Sequence, residues 1–481
     1  MTMSAINQAV SENDEGVDMR TVGSPRNFSD LWLLVFVLAG FFFELGLWFA
    51  GDTALRLPLR IGMYVTSLGF VFFIRGDARP HPASRVIQYI LVILAICLIN
   101  PLGSTLAARC AQICLYFSIL GPLVWVGKLN ISRQTFQRLV LIMWVFYTAS
   151  AVMGVLQVEY PGKFDGALSS NYDEQSITPH VFILADGTKV IRPKGLTDVP
   201  GGASTGGVYS IILGAGLLLT SRSTFLRLAS VFGMVAGLFC IFICQMRTNL
   251  IIAGIAVISL IFVLLYRRAY AKAGLFIGVA SGVIFVGATA AFSTGGQATV
   301  DRFLTLIASD PGTVFYANRG GFLDDVIQDA THSYPLGAGL GRWGMMNHYF
   351  GEGGSEALWA EMMWQSLLYD GGIPLIILYI ILLGCLMWTA LSQALWQPNH
   401  DLGCWAGVVF GYTLAAVAAT FVFPIFSNQE GMDVFLINAS LFGVCVAAES
   451  ERHATRAIHD ETDEQAEFES ETLSELAETP A

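Results

Sequence analysis

Runs of about twenty apolar residues, separated by short polar breaks, fill most of this chain and predict membrane-crossing helices. Twelve such runs lie at 31–50, 57–74, 86–100, 106–127, 138–157, 203–220, 227–244, 249–266, 273–291, 373–391, 403–423 and 431–448. Pro101-Leu102-Gly103 interrupts one long apolar stretch and divides the third run from the fourth. Two polar stretches, 158–202 and 292–372, break the rhythm. Connections between helices are usually a handful of residues, and a long ordered loop is usually functional. The second stretch, from Phe292-Ser293-Thr294-Gly295 to Gly372, therefore draws attention first, with Arg302, Arg319, His332, Arg342, His348 and Glu361 inside it. In the first, Val181-Phe182-Ile183-Leu184 and Thr188-Lys189-Val190-Ile191-Arg192 flank Asp186-Gly187, a β-hairpin signal.

Composition supports the membrane reading: 54% of residues are hydrophobic and 13% charged. The net charge of −11 comes from the ends, because eleven acids face Arg452 and Arg456 between Glu449 and Ala481, and five acids precede residue 31. The expected division is a disordered 1–30, a transmembrane body 31–448 and a disordered acidic tail 449–481. Acidic ends argue against nucleic acid as a partner. The eight cysteines fall almost wholly in apolar runs and read as small buried hydrophobes, with no disulfide framework. No cleavable signal peptide is evident.

Positive charge in short loops orients membrane helices. Arg75, Arg79 and Arg85 share one loop, Lys128, Arg133 and Arg138 another, followed by Arg222 with Arg227 and by Arg267, Arg268 and Lys272. Both termini are then cytoplasmic, and 158–202 and 292–372 face outward. Cations on the outer side need another explanation.

Arg247, between two spans, is either an interfacial anchor or a functional cation. Arg319 precedes an amphipathic stripe of Phe322, Leu323, Val326, Ile327 and Ala330. A cation is unfavourable near a helix N-terminus, which suggests that an anion is brought to it; a plain surface helix is the bland alternative. Glu361 is the only charge between Glu356 and Asp370, on what reads as an apolar helix, so it is either a poised base or one half of a structural Glu–Arg pair. His348 and His332 are further base candidates, although a lone loop histidine is more often structural. Gly337-Ala338-Gly339-Leu340-Gly341-Arg342 lacks the strand–turn–helix context of a dinucleotide fingerprint and reads as a tight loop, with Arg342 a phosphate candidate. Acids are not clustered on the outer side as a metal site requires, so neither metal nor cofactor is expected.

Taken together, Arg192-Pro193-Lys194-Gly195, Gln245-Met246-Arg247, Arg319 with Tyr334-Pro335-Leu336-Gly337-Ala338-Gly339-Leu340-Gly341, and Asp370-Gly371-Gly372-Ile373-Pro374 resemble, in order, motifs of the O-antigen ligase and polysaccharide polymerase superfamily. These are multi-span bacterial glycosyltransferases with a large periplasmic loop late in the chain, and the resemblance covers roughly residues 138–400. It implies an all-α, GT-C-like membrane fold of about twelve spans in the bacterial inner membrane, with a large helical and a small hairpin-containing periplasmic loop. It also implies an undecaprenyl-diphosphate-linked oligosaccharide as donor, a saccharide as acceptor, inversion at the anomeric carbon, and contact with the bilayer and with polysaccharide-export proteins. Arg247 and Arg319 would meet the diphosphate, while Arg192, Lys194, Arg342 and His332 would position phosphate or sugar. Trp359 would stack on a sugar ring or anchor at the interface. Ligases of the family carry a histidine where this chain has Ala360-Glu361, so the base is Glu361 or His348, and polymerisation is favoured over ligation to lipid A-core. A polytopic transporter or lipid-linked sugar flippase is the alternative of another class; a non-catalytic scaffold is a third. No internal repeat of the transporter kind is visible in the sequence.

Overall fold

A computed structural model describes residues 28–76, 79–164, 166, 181–183, 189–199, 201–308, 312–313, 316, 320–351 and 358–477. The N-terminal segment, the Asp186-Gly187 turn and Arg319 lie outside the described residues. Each of the twelve apolar runs falls on a helix. In chain order these are α1 (Phe28–Phe49), α2 (Thr53–Phe73), α3 (Ser84–Cys97), α4 (Leu106–Leu120) with the short α5 (Pro122–Trp125), α6 (Arg133–Glu159), α7 (Gly202–Thr220), α8 (Thr224–Ile243), α9 (Arg247–Tyr266) and α10 (Tyr270–Ala308). The outer stretch adds α11 (Gly321–Gln328) and α12 (Gly344–Phe350), and the chain closes with α13 (Met363–Trp396), α14 (His400–Ala419) and α15 (Gln429–Ala477). The hairpin is present as β1 (Val181–Ile183) and β2 (Lys189–Ile191), antiparallel with Phe182 opposite Val190.

The chain is a helical, multi-pass membrane protein. Among the described residues, nine helices are long and apolar enough to cross a membrane, and α4 with α5, bent by 46°, makes a tenth. Of the twelve helices expected to span, two fall short of that length and hydropathy: α3 has only 14 residues, and α2 carries Arg56 and Arg60 in its first turns. Side-chain oxygens start many of the helices: Ser132, Asn399 and Thr105 accept the orphan backbone N–H groups of Thr135, Leu402 and Ala108 at 3.1 Å. The apolar window of α7 is 94% buried, that of α14 83% and that of α15 72%, whereas those of α1 and α10 are 28% buried. The first three therefore form the centre and the others the lipid-facing rim. The α7–α8 crossing is close because a Cβ at Gly207 would stand 2.6 Å from the Gly237 carbonyl.

Three boundaries differ from expectation. Helix α10 continues beyond residue 292 to Ala308, and within it Thr289, Ser293 and Thr294 return their hydroxyls to carbonyls one turn back at 2.7–2.9 Å, so these hydroxyls need no other partner. Helix α13 begins at Met363, ten residues before the apolar run at Ile373 (373 − 363), with non-helical backbone at Gly372 inside it. The acidic tail, expected to be disordered, is backbone helix to Ala477, in line with its Glu-, Ala- and Leu-rich sequence.

Contacts sort the helix ends into two sets. At one end Asp401 meets Arg133 at 2.5 Å and Lys272 at 3.4 Å, and Arg267 donates to the carbonyls of Ala394 and Gln397 at 2.9 and 2.8 Å. At the other, Arg56 pairs with Asp198 and donates to the Ala50 carbonyl at 2.7 Å. There too Thr105 donates to the Phe350 carbonyl at 2.5 Å and Asn100 to that of Gly337 at 3.1 Å. The outer stretch, the hairpin segment and the starts of α7 and α15 belong to this second end.

Candidate functional site

A cavity of about 520 Å³ opens at the second end, within the size range of small-molecule sites. Phe43, Glu44 and Leu47 come from α1, and Leu59, Arg60, Met63 and Tyr64 from α2. Gln112 and Leu115 of α4 and Phe146 and Tyr147 of α6 add walls. Thr197 and Asp198 enter ahead of α7, Trp343, His348 and Tyr349 from the outer stretch, and Glu430 and Asp433 from the first turn of α15. The lining mixes apolar side chains with charged ones, Glu44 standing with Phe43 and Leu47 on α1 and Arg60 with Leu59 and Met63 on α2.

Asp198 joins these pieces. It accepts from Arg56 and Arg60, with Arg60 Nε at 2.9 Å, and Arg60 Nη1 donates to the Tyr349 hydroxyl at 2.7 Å. Arg56 is 4% exposed and caps the C-terminal carbonyls of α1, where the helix dipole favours a cation. The outer helix α12 is thereby fastened to the membrane body beside the cavity. Opposite, Asp433 accepts from the Tyr147 hydroxyl. Tyr147 stacks on Tyr209 with ring centroids 4.1 Å apart, and the Tyr412 hydroxyl bonds that of Tyr209. This aromatic and hydroxyl layer fixes the Asp433 rotamer.

Behind the cavity, buried Asp370 accepts from Gln112 Nε2 at 2.9 Å, the Tyr116 hydroxyl at 2.7 Å and Trp343 Nε1 at 2.9 Å. It ties α4, α13 and the outer stretch together. The glycine segment docks at the same place: Gly339 N donates to the Tyr369 carbonyl and Ile373 N to that of Pro335, both at 3.0 Å. Gly337, Gly339 and Gly341 have φ of 97°, 102° and 72°, and Gly372 has φ 66°. A Cβ at Gly372 would lie 2.3 Å from the Pro335 carbonyl oxygen. The glycines permit close backbone packing.

Of the residues singled out from sequence, His348 lines the cavity, its ring 4.9 Å from that of Tyr349. Arg319 lies outside the described residues. Arg247 is the first residue of α9, half-buried at the second end and outside the cavity lining. Arg192 and Lys194 follow β2, half-buried and likewise outside the lining. Arg342 donates to the Ala338 carbonyl at 3.3 Å, one residue before the cavity's Trp343. His332 is exposed in a π-turn after α11. Trp359 is 74% exposed and donates to Glu361 Oε1 at 2.7 Å. Glu361 stands in irregular backbone two residues before α13, not within a helix. The Gln365 side chain accepts its N–H at 2.9 Å and that of Met362 at 3.2 Å, and so sets the start of α13 beyond it.

Sequence reasoning passed over Glu44, Arg56, Arg60, Asp198, Glu430 and Asp433. For three of them the signal was present: Glu44, Arg60 and Asp433 are ionisable residues in apolar runs, which are functional candidates by default. The acids expected to be dispersed gather on one cavity, although no three His, Cys, Asp or Glu side chains among the described residues are placed to hold a metal ion. Compared with protein-family models and with curated protein sequences, the chain gives no match to either.

Proposed function

We propose that this protein transfers a glycan from undecaprenyl diphosphate to a saccharide acceptor at the outer face of the bacterial inner membrane, extending a polysaccharide. The observation that carries the reading is the cavity. It combines apolar side chains, suited to lipid, with carboxylates, an arginine and a histidine, at the helix ends remote from the Arg- and Lys-rich short loops. With both termini cytoplasmic, that end faces outward. The described residues of the motif resemblances, 192–195, 245–247, 334–341 and 370–374, lie at the same end.

His348 is the proposed base, because of the two candidates it lines the cavity and Glu361 does not. It takes the proton of the acceptor hydroxyl as that oxygen attacks the anomeric carbon and the bond to the lipid diphosphate breaks. Arg247 and Arg319 stabilise the charge that develops on the departing diphosphate, a role suited to guanidinium forks. Arg192, Lys194 and Arg342 hold the lipid phosphate or the adjoining sugar.

Purified protein given a short lipid-diphosphate oligosaccharide without nucleotide should yield longer glycan on lipid, and His348→Ala and Arg247→Ala should each suppress it. A second reading, a lipid-linked sugar transporter, is favoured by the carboxylates on membrane helices. Lipid crossing vesicle membranes with no elongation would establish that reading and remove the first.

A further inference from the structure

Helix α12, which carries His348, is too short to place itself. It has seven residues, and helices below about 12–15 residues are marginal unless something packs on them or ties them down. Gly344 opens it with φ 64°, and a glycine leaves the backbone free to move from that angle. The direction of the imidazole therefore depends on what grips the helix from outside.

There is a grip at each end. Trp343, the residue before α12, donates from Nε1 to buried Asp370 of α13 at 2.9 Å, and the Leu358 N–H donates to the Arg342 carbonyl at 2.8 Å. At the far end the Tyr349 hydroxyl accepts from Arg60 Nη1 at 2.7 Å, and Thr105 Oγ1 donates to the Phe350 carbonyl at 2.5 Å. Arg60 is itself set in place. Its Nε and Nη2 meet one oxygen of Asp198, and the other oxygen pairs with Arg56, which caps the end of α1. Between the two grips Met346 is buried in the core, while His348 is exposed on the cavity.

We propose that Trp343 and Tyr349 are positioning residues for His348: bonded to Asp370 and Arg60, they hold α12 at its two ends and keep the imidazole directed at the cavity. They act through the helix and need not touch the reacting atoms. The demand on them is strict, because a misplacement of about 1 Å at a reacting group costs up to about 10²-fold in rate. The consequence for catalysis rests on the transfer reading with His348 as base; the holding of the helix does not.

Tyr349→Phe and Trp343→Phe each remove one hydrogen bond and keep an aromatic ring in place. Hydrogen–deuterium exchange of the full chain in lipid nanodiscs reads the holding. The amides of 344–350 should exchange about three- to tenfold faster in either variant, the size of one lost hydrogen bond, with those of α14 unchanged. Elongation of a short lipid-diphosphate oligosaccharide reads the direction of the base. For each variant kcat per folded molecule should fall about tenfold or more, with KM within about twofold. Arg60→Lys keeps the charge but loses the fork that reaches both Asp198 and Tyr349, so it should repeat the Tyr349→Phe result if that variant does not fold. Unchanged exchange over 344–350, faster exchange with full kcat, or a raised KM at constant kcat each overturns the proposal. Parent protein that elongates nothing removes the transfer reading and the catalytic half of this inference, and the exchange rates decide the other half. Variants that elongate as well as the parent remove this inference and leave the transferase.

Discussion

The two ends of the bundle use charge in opposite ways. At the end with the short basic loops, cations close the structure: Arg267 satisfies the last carbonyls of α13, Lys128 donates to the Val71 carbonyl near the end of α2 at 2.8 Å, and Asp401 gathers Arg133 and Lys272. At the other end Arg56 plays the same capping part on α1, yet the carboxylates beside it line a void. Charge that meets helix carbonyls or an opposite charge is spent on architecture; charge that meets a cavity is available to a ligand. The counts of cations at the two ends teach much less than what those cations touch.

The comparison breaks first at His348. Replacing it with alanine should lower elongation by about 10²–10⁴-fold, the usual range for a general base, whereas Glu361→Gln should stay within a few-fold in the same assay. Equal losses would return Glu361 to the chemistry. Next is the buried pair: Arg56→Leu leaves Asp198 with Arg60 as its remaining cation and should cost about 1–3 kcal/mol, the loss of a charge-assisted hydrogen bond. That would appear as a lower thermal midpoint in detergent, with Arg56→Leu/Asp198→Leu less damaged than the single variant. Arg267→Met should cost about 1–2 kcal/mol through lost capping and leave elongation per folded molecule unchanged. A selective loss of activity there would blur the division between the ends.

The effect that is smallest at neutral pH, and grows as pH falls, concerns the closed end. His81, in the loop between α2 and α3, accepts the Ala83 N–H on Nδ1 at 3.1 Å and packs against Phe442. Burial pushes its pKa down from 6.5 to about 4. The folded protein therefore resists the proton that the unfolded chain accepts. This contribution is full above pH 6.5, falls as pH drops from 6.5 to 4, and is constant below. Thermal midpoints of His81→Phe should decline less over that window than those of the parent, and parallel curves would contradict the assignment.

The helices were legible because each apolar run is long, and the hairpin because Asp186-Gly187 sits between β-prone residues. Glu361 was misplaced for a local reason: residues 357–369 are apolar enough to read as one helix, but the Gln365 side chain fixes its start at Met363. The cavity was illegible for a non-local reason. Glu44, Asp198, Glu430 and Asp433 come from three distant places in the sequence, two of them helices and one a loop, and only the packing of α1, α2, α6 and α15 gathers them. Arg56 and Arg60, one helical turn apart at the start of an apolar run, were the clearest local hint.

The glycine segment locked into the break of α13 limits how this protein can be recombined. Because Pro335, Gly337 and Gly339 hydrogen-bond Ile373, Asn100 and Tyr369, the outer stretch has no clean seam with the bundle. A graft that exchanged only residues 309–362 with another chain would sever those joints. A transplant that keeps its shape has to carry residues 97–104 and 369–374 along with it, so new specificity at this face arrives as a matched set of loop, turn and helix rather than as a loop alone.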